Sequence, residues 1–386
     1  MKIRSITFGV ELKPTLDPRV VAHVGRFAAQ LRNAYQDEGI MVQTLRLATQ
    51  PFPQYLGTCT EDATVRFAQE LQSCCGEHGI DFVSLGPVNP YVEAEQLLIT
   101  ILPRLIAETE VIFTSAVLVP TGHSVSRALV QTIARVVQKI AQTTEEGFGN
   151  LRFAGVVNCP PFIPFFPAAF HLGTPAFTLA LEAADVIAEA CGPDLDLDVV
   201  RTRIGAELER QVRPVQNLAQ RFSTGEWRFL GIDLSPAPGP EPHASIAYAL
   251  ERCGLGRFGE PGTLALAALV TAAVRETQLL TCGYCGLMLP VLEDAGLAER
   301  NNQGLLRLSN LLSYSAVCGT GLDTIPLPGD ASEDQLCALL LDVATLGRRL
   351  NKPLSARLLP IPGKQAGDLT EFTFSYFVNT QVMPVA

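Results

Sequence analysis

The sequence predicts an α/β fold in which short apolar strands alternate with amphipathic helices. Through residues 1–157, β-branched apolar runs recur, and segments with helical spacing of apolar residues separate them. Hydrophobic residues make up 47% of the chain and charged residues 18%, which is typical of a chain with a large core. Helical crossovers imply parallel strands covered by helices. A doubly wound sheet, an eight-stranded barrel and a larger α/β barrel all fit this pattern.

The N-terminal half alternates regularly. An apolar run at 3–10 predicts the first strand, and Asp17-Pro18 supplies a helix N-cap and a proline for the first turn. Apolar residues then recur at helical spacing until Gly39 ends the helix. The same reasoning predicts strands at 40–47, 80–85, 111–119 and 153–157, and helices at 60–77, 91–108 and 124–142. Five strands therefore precede residue 158.

The C-terminal half is less regular and begins with a proline-rich and aromatic loop at 158–174. Its patterns predict strands at 227–234, 355–361 and 370–378, and helices at 175–191, 197–222, 244–253, 263–277, 305–316 and 331–349. No linker or charge block divides the chain. We therefore expect one domain over 1–386, with halves at about 1–157 and 158–386.

Charge and hydropathy narrow the partners. The chain has 386 residues and a formal net charge of −10, which disfavours nucleic acid and anionic membranes as partners. The longest apolar stretch, 263–274, is shorter than the roughly 20 residues of a membrane span and ends at Arg275. The N-terminal run is broken by Glu11 and Lys13 and predicts no signal peptide. We expect a cytoplasmic protein whose ten cysteines are mostly reduced packing residues.

The loop at 158–171 is the first candidate site. Ligands of α/β proteins bind where loops leave the carboxyl ends of strands, and this loop follows a predicted strand. Asn158 offers a polar group to a substrate, and His171 titrates near neutral pH, as a general acid or base requires. The alternative is a rigid plug over the sheet that contains a buried, hydrogen-bonded histidine.

Polar residues at two other strands are candidate substrate ligands. Asp233 and Ser235 end one strand, where they could orient a ligand or make a turn. Arg357 lies on a later strand, and Lys364 lies in the turn after it. This pair could bind a carboxylate or phosphate, or form a surface ion pair.

The segment from Cys318 to Asp330 is the most concentrated candidate. Two glycines permit close backbone approach, and Asp323 and Asp330 flank a rigid Pro-Leu-Pro. Such a loop can hold a divalent cation between the two carboxylates, provide an acid/base pair, or present the Cys318 thiolate. The alternative is a glycine turn followed by a helix that Asp330 caps.

These segments together resemble a known family. The opening Met1-Lys-Ile-Arg-Ser-Ile-Thr-Phe, the Phe170-His171 loop, Asp233-Leu-Ser-Pro-Ala-Pro, Cys318-Gly-Thr-Gly-Leu-Asp and Ile361-Pro-Gly-Lys-Gln-Ala-Gly-Asp resemble the family labelled domain of unknown function 711. That family is also called uncharacterised protein family 0210. The resemblance covers the whole chain.

The resemblance implies a fold similar to the glycyl radical enzymes of the pyruvate formate-lyase type. That fold is a ten-stranded α/β barrel of two five-stranded parallel half-sheets. By analogy, Cys318 corresponds to the cysteine on the central loop of those enzymes. An Arg-Val-x-Gly-Tyr-like stretch near the C-terminus does not occur, so no glycyl radical is expected.

The sequence therefore favours a cytoplasmic enzyme that acts on a small polar, anionic metabolite. Acid/base or thiol chemistry would come from His171, Asp323 and Cys318, with a divalent metal as one variant. A non-catalytic ligand-binding protein on a degenerate enzyme barrel is the alternative, and a homo-oligomer with a mainly structural role is a third hypothesis.

Overall fold

A single mixed sheet organises the chain. The computed structural model describes residues 1–57, 60–94, 97–193 and 196–385. In that part of the chain, nine strands pair in the order β7-β6-β1-β2-β3-β4-β5-β9-β8. The strands are β1 (Lys2–Gly9), β2 (Val42–Ala48), β3 (Phe82–Val88), β4 (Ile112–Val119), β5 (Phe153–Val157), β6 (Ala176–Glu182), β7 (Arg228–Ala237), β8 (Gly321–Pro328) and β9 (Leu354–Ile361).

The five parallel strands predicted before residue 158 are confirmed. Strands β1 to β5 are parallel neighbours. On one side β6 pairs antiparallel with β1, and on the other side β9 pairs antiparallel with β5. Strand β7 is parallel to β6, and β8 is parallel to β9. The described residues thus contain four strands in the second half, where the resemblance implied five in one half-sheet.

One irregular segment, 280–291, pairs with both edges of the sheet. The Ile232 N–H of β7 donates to the Leu280 carbonyl at 3.0 Å, and the Val291 N–H donates to the Asp323 carbonyl of β8 at 3.1 Å. Two glycines permit a close crossing here, because a Cβ added to Gly286 would lie 2.7 Å from the Gly319 Cα. The segment therefore covers hydrogen-bonding groups that a free sheet edge would expose.

Helices connect and cover the strands. The α-helices are α1 (Pro18–Asp37), α2 (Pro53–Leu56), α3 (Glu61–Glu77), α4 (Leu102–Ala107), α5 (Arg127–Thr143), α6 (Ala184–Ala190), α7 (Leu197–Arg221), α8 (Ile246–Glu251), α9 (Thr263–Glu276), α10 (Ala295–Asn302), α11 (Leu308–Ser315) and α12 (Glu333–Leu350). The predicted Asp17 cap of α1 is confirmed, since its side chain accepts the Arg19 N–H. Among the described helices, none is long and apolar enough to cross a membrane.

Several local expectations are wrong, and the segment 318–330, expected as a loop, contains strand β8. The helix predicted at 175–191 is strand β6 followed by the short helix α6. Alanine, leucine and glutamate favour a helix there, but pairing with β1 on one side and β7 on the other overrides that preference. The strand predicted at 370–378 is an irregular segment. Asp330 does not cap α12, because Ser332 and Gln335 form its capping box.

The loop after β5 enters the interior of the fold. Ile163, Phe165 and Ala168 are buried and pack against Ala154 and Val156 of β5. Apolar residues from the 280–291 segment, Tyr284 and Met288, complete this small core. This loop, which we name the plug loop, therefore fills the interior, as the alternative interpretation of its sequence proposed. It also forms one wall of a cavity.

Candidate active site

A cavity of about 170 Å³ is lined by residues of the sheet and of the plug loop. Eight of the nine strands contribute to its lining, and the plug loop adds Phe165 and Phe166. The strand residues that line it are Arg4, Ser5, Gln43, Thr44, Arg46, Phe82, Phe113, Ala180, Leu181, Asp233, Ser235, Ala237, Asp323 and Arg357. Five polar or charged members of this set are buried, namely Ser5, Asp233, Ser235, Asp323 and Arg357, so the cavity is the natural place to look for chemistry.

A chain of ion pairs crosses the cavity wall. The Arg357 guanidinium donates from Nε to Asp323 Oδ1 at 2.7 Å and from Nη2 to Glu293 Oε1 at 2.8 Å. Arg4 pairs with the other oxygen of Glu293 and also donates to the Pro238 carbonyl at 3.3 Å. Arg357, Glu293 and Asp323 are all buried, with Asp323 only 1% exposed. The network thus holds two cations and two carboxylates in alternation.

The two carboxyl groups respond to this environment in opposite directions. Burial raises the pKa of Asp323, and the charge of Glu293 adds to that effect, while Arg357 opposes it. Burial also pushes the pKa of Glu293 upward, but Arg357 and Arg4 together outweigh it and lower that pKa. Asp323 Oδ2 is buried and has no hydrogen-bond partner in the described part of the chain. Asp323 is therefore the carboxyl group with the greater preference for a proton.

Two guanidiniums of the lining, those of Arg46 and Arg152, have no ion pair with a carboxylate in the described part of the chain, and Arg152 instead donates to the Ile112 and Ile106 carbonyls at 3.2 and 2.7 Å. The Arg46 Nε donates to Thr44 Oγ1 at 2.9 Å, and among the described residues no carboxylate lies within ion-pair distance. Its guanidinium lies 5.5 Å from the Phe82 ring centre and 5.1 Å from that of Phe166. Burial and the nearby charge of Arg4 lower the pKa of Arg46 to about 9. An anion beside Arg46 would relieve this unfavourable environment.

Asp233 and Ser235 line the cavity, but their hydrogen bonds hold the 280–291 segment. The Asp233 carboxylate accepts the N–H groups of Tyr284 at 3.0 Å and Cys285 at 3.1 Å, as well as the Ser235 hydroxyl at 2.6 Å. The Ser235 hydroxyl in turn accepts the Gly286 N–H at 3.2 Å. Burial raises the pKa of Asp233, although these bonds oppose the shift. The contacts support the turn-making interpretation of this pair.

His171 lies outside this cavity. Its backbone N–H donates to the Thr49 carbonyl at 2.9 Å, and its Nε2 lies 3.1 Å from the Gly173 carbonyl oxygen. Its ring packs directly on Gly9, where an added Cβ would lie 2.0 Å from Nδ1. The space beside it is about 10 Å³, which holds at most a single water. Burial lowers the pKa of His171.

The directions of the strands explain why His171 does not line the same cavity as Asp323. His171 contacts Gly9 and Thr49 at the carboxyl ends of β1 and β2, whereas the cavity meets β1, β3 and β4 in their amino-terminal halves. Strand β6 runs antiparallel to β1, and β7 runs parallel to β6. The carboxyl halves of β6 and β7 therefore lie at the end of the sheet where β1 begins and where Arg4 is located. The cavity therefore meets β1, β3 and β4 away from their carboxyl ends, where the sequence reasoning looked for ligands.

Cys318 and Asn158 belong to the packing around the ends of two helices. Cys318 is fully buried in the main core and does not line the cavity, and its carbonyl accepts a hydrogen bond from Lys352 Nζ. Lys352 also binds the Ser315 carbonyl at 2.9 Å at the end of α11. Asn158 donates to the Gly347 carbonyl at 2.9 Å and so caps the end of α12.

Asp330 and Lys364 lie in neighbouring turns beyond β8 and β9. Asp330 is exposed, and Lys364 pairs with the exposed Glu371 at 2.5 Å. Asp323 is buried on β8 and lines the cavity, whereas Asp330 is exposed in the turn after that strand. The structure thus does not place both carboxylates in the cavity lining, and the described residues contain no cluster of three or more histidine, cysteine or acidic ligands.

Sequence reasoning missed Arg4, Arg46 and Glu293. The sequence does contain a signal for Arg4 and Arg46. Strands covered by helices are expected to be almost wholly apolar, so a charged residue within such a strand indicates a polar site in the interior. Arg4 and Arg46 interrupt such runs. Glu293 carries no comparable signal, since it lies in the irregular stretch between the 280–291 segment and α10.

The fold and the site define a class: an α/β protein whose mixed sheet lines a cavity that contains a network of ion pairs and two guanidiniums, Arg46 and Arg152, for which the described residues provide no ion-pair partner. The chain belongs to the family described as uncharacterised ACR (DUF711), which matches residues 1–375 and confirms the resemblance noted from the motifs.

Relatives from distant organisms match nearly the whole chain. A UPF0210 protein of Pyrobaculum islandicum is 33% identical over 379 residues, covering 93% of this chain and 81% of that protein. A UPF0210 protein of Halothermothrix orenii is 29% identical over 398 residues, covering 96% and 88%. One from Listeria monocytogenes serotype 4b is 28% identical over 411 residues, covering 100% and 91%. The names of these relatives state no activity.

Proposed function

We propose that the protein is an enzyme that binds a small anionic metabolite in the cavity lined by its sheet and its plug loop. Arg46 would bind the anionic group, and Asp323 would act as the acid/base group. The observation that carries the proposal is the Arg46 guanidinium, which faces the cavity without a carboxylate partner.

The surroundings of Arg46 support an anionic ligand. Arg4 and Arg357 pair with Glu293 and Asp323, whereas no carboxylate of the described residues lies within ion-pair distance of Arg46. A partly buried cation without a counter-ion costs free energy. A carboxylate or phosphate at Arg46 would compensate that charge, and the planar guanidinium fork suits either group.

Asp323 has the properties that acid/base chemistry requires. Its raised pKa brings the protonated form closer to neutral pH, where proton transfer is most efficient. Its Oδ1 is held by Arg357, and its unpartnered Oδ2 remains to exchange a proton with a ligand. His171 and Cys318 do not line this cavity, so neither belongs to the proposed catalytic group, and thiol chemistry is not part of the proposal.

Binding assays on the purified protein test the anion site. Isothermal titration with acetate and with inorganic phosphate should detect binding to the wild type, and Arg46→Met should weaken it at least 10-fold. Lys364→Met removes a positive charge outside the cavity and should leave binding unchanged. Equal binding by the wild type and Arg46→Met would refute the anion site.

Deuterium incorporation tests the acid/base role. Carboxylates that bind are incubated in D₂O with the wild type or with Asp323→Asn, and exchange at carbon next to the carboxylate is followed by NMR. The proposal expects exchange or turnover with the wild type, and a loss of at least 100-fold in Asp323→Asn. Exchange at equal rates in both proteins would refute the role of Asp323.

The alternative is a ligand-binding protein without catalysis in the same cavity. The near-complete burial of Asp323 and its tight pairing with Arg357 favour this alternative, because both restrict its access to a substrate. It expects anions to bind the wild type and Asp323→Asn unchanged, with neither exchange nor turnover.

We also infer that the sheet closes into a ten-stranded barrel, with the 280–291 segment as the tenth strand. In a flat sheet, β7 and β8 would lie about 38 Å apart, since neighbouring strands are about 4.8 Å apart. Asp233 of β7 and Asp323 of β8 nevertheless line one cavity. The bridges from Ile232 to Thr281 and from Pro290 to Asp323 support closure. Rapid hydrogen exchange at the Ile232 and Val291 amides would refute it.

A further inference from the structure

Three aromatic side chains form one end of the cavity, and we name them the aromatic rim: Phe148, Phe374 and Tyr376. The Phe148 and Phe374 ring centres are 5.4 Å apart, and those of Phe374 and Tyr376 are 5.3 Å apart. The first two side chains are partly exposed, and Tyr376 is 37% exposed. The rim therefore presents apolar surface to the cavity that the protein itself does not cover.

Two anchored segments carry the rim. Phe148 lies in the 3₁₀ segment Glu145–Arg152 before β5. Phe374 and Tyr376 lie on the irregular segment after β9, where the Val378 N–H donates to the Leu292 carbonyl at 2.7 Å. The Asn379 side chain also bridges this segment, accepting the Phe372 N–H at 2.9 Å and donating to its carbonyl at 3.1 Å. These hydrogen bonds hold the segment that carries Phe374 and Tyr376, although the strand predicted at 370–378 does not form.

The rim adjoins the ion-pair network through two leucines. Leu151 packs in the apolar cluster that contacts Phe148 and Phe374, and its carbonyl accepts the Arg357 Nη1 at 3.4 Å. Leu292 packs in the same cluster and directly precedes Glu293. The cavity thus has a charged part and an apolar aromatic part that share a boundary.

We propose that the ligand of this cavity is a monocarboxylate with a planar, apolar body, of the arylalkanoate class. This inference rests on the proposed function, and it adds the chemical class of the ligand. The carboxylate would pair with Arg46, and the body would pack against the aromatic rim.

Charge and surface both favour that class. A monoanion fits the cavity better than a dianion, because Glu293 and Asp323 would repel the second charge of a phosphate dianion. A flat ring gains most from the rim, because aromatic pairs prefer offset or edge-to-face contact with centres about 4.5–7 Å apart. Such contacts contribute about a factor of 10 in affinity beyond the burial of apolar area.

A matched ligand series tests the inference on the whole protein. Isothermal titration with acetate, phenylacetate, cyclohexylacetate and inorganic phosphate gives four affinities for each variant. We expect the wild type to bind phenylacetate at least 10-fold more tightly than acetate, and more tightly than cyclohexylacetate or phosphate. Tyr376→Ala should reduce the ratio of phenylacetate to acetate affinity about 10-fold, whereas Tyr376→Phe should keep it.

The outcomes separate this inference from the proposed function. If no anion binds, or if Arg46→Met binds as the wild type does, the anion site itself is refuted. If Arg46→Met abolishes binding but acetate and phenylacetate bind alike, only the aromatic class is refuted. Tighter binding of phosphate than of phenylacetate, or an unchanged affinity ratio in Tyr376→Ala, would also overturn it.

Discussion

Replacing Arg46 with methionine should stabilise the ligand-free protein while removing its anion site. Methionine has a similar length and no charge, so it keeps contact with the Phe82 and Phe166 rings that flank the guanidinium. Arg46 is a cation without a carboxylate partner among the described residues, and such a group lowers the stability of the folded state. We expect that a protein retains it because its function requires it.

The structure sets the size of this effect. The pKa of Arg46 falls to about 9 from the ordinary arginine value of about 12.5, which corresponds to about 5 kcal/mol. A base whose pKa is lowered on folding destabilises the fold at every pH below its folded-state pKa, so the full cost applies at neutral pH. The two flanking rings recover about 3 kcal/mol through cation–π contacts. We therefore expect Arg46→Met to gain about 2 kcal/mol of unfolding free energy.

Thermal and urea unfolding at pH 7.5, with chloride as the only anion, measure that gain. For 386 residues, 2 kcal/mol corresponds to a rise in Tm of about 2–3 °C. Arg4→Met is the matched control, because Arg4 faces the same cavity but pairs with Glu293. It should lose about 2–4 kcal/mol by leaving that carboxylate incompletely paired. If Arg46→Met loses as much stability as Arg4→Met, Arg46 has a structural role and the reasoning fails.

Three further predictions concern the cavity and the closure of the sheet. Asp233→Asn should lower the free energy of unfolding in urea by about 2–4 kcal/mol, because a side-chain amide N–H would face the backbone N–H of Tyr284. A decrease below about 0.5 kcal/mol would contradict the hydrogen-bonding role of Asp233. Between pH 7 and pH 4, the wild type should gain stability relative to Asp323→Asn, because the folded-state pKa of Asp323 is raised and its protonation favours the fold as the pH falls. Relative to Glu293→Gln, the wild type should lose stability below about pH 4.5, because the folded-state pKa of Glu293 is lowered; equal pH profiles would count against both assignments. Gly319→Ala should lower Tm, because its Cβ would lie 2.6 Å from the Gly286 carbonyl oxygen. Gly76→Ala in the last turn of α3, where an added Cβ would meet no atom within 4 Å, should raise Tm slightly, and the opposite order would refute the close crossing.

Local periodicity was sufficient for the regular half of the fold. The apolar runs and helix caps before residue 158 predict five parallel strands, because each crossover helix buries one face on the strands beside it. The same method fails at β6, where helix-favouring residues become a strand between β1 and β7. No local signal could resolve that segment, since its partners lie far away in the sequence.

The sequence by itself determined the α/β class, the family, and four of the residues that line the cavity. Arg357 was predicted on a strand, Asp233 and Ser235 at the end of one, and Asp323 in a loop that the structure shows to be strand β8; all four line the cavity. A charged side chain on a strand covered by helices has only the interior to face, so its position follows from the pattern.

Only the tertiary structure decided which of the candidates meet. His171 lies at the carboxyl ends of β1 and β2, whereas the antiparallel pairing of β6 brings its carboxyl half to the end that carries Arg4, and Cys318 is buried in the main core. The parallel pairing of β1 with β2 places Arg4 and Arg46 on neighbouring strands, and Glu293 reaches Arg4 from a distant segment. Strand direction and loop path depend on long-range contacts, which the spacing of residues along the chain does not record.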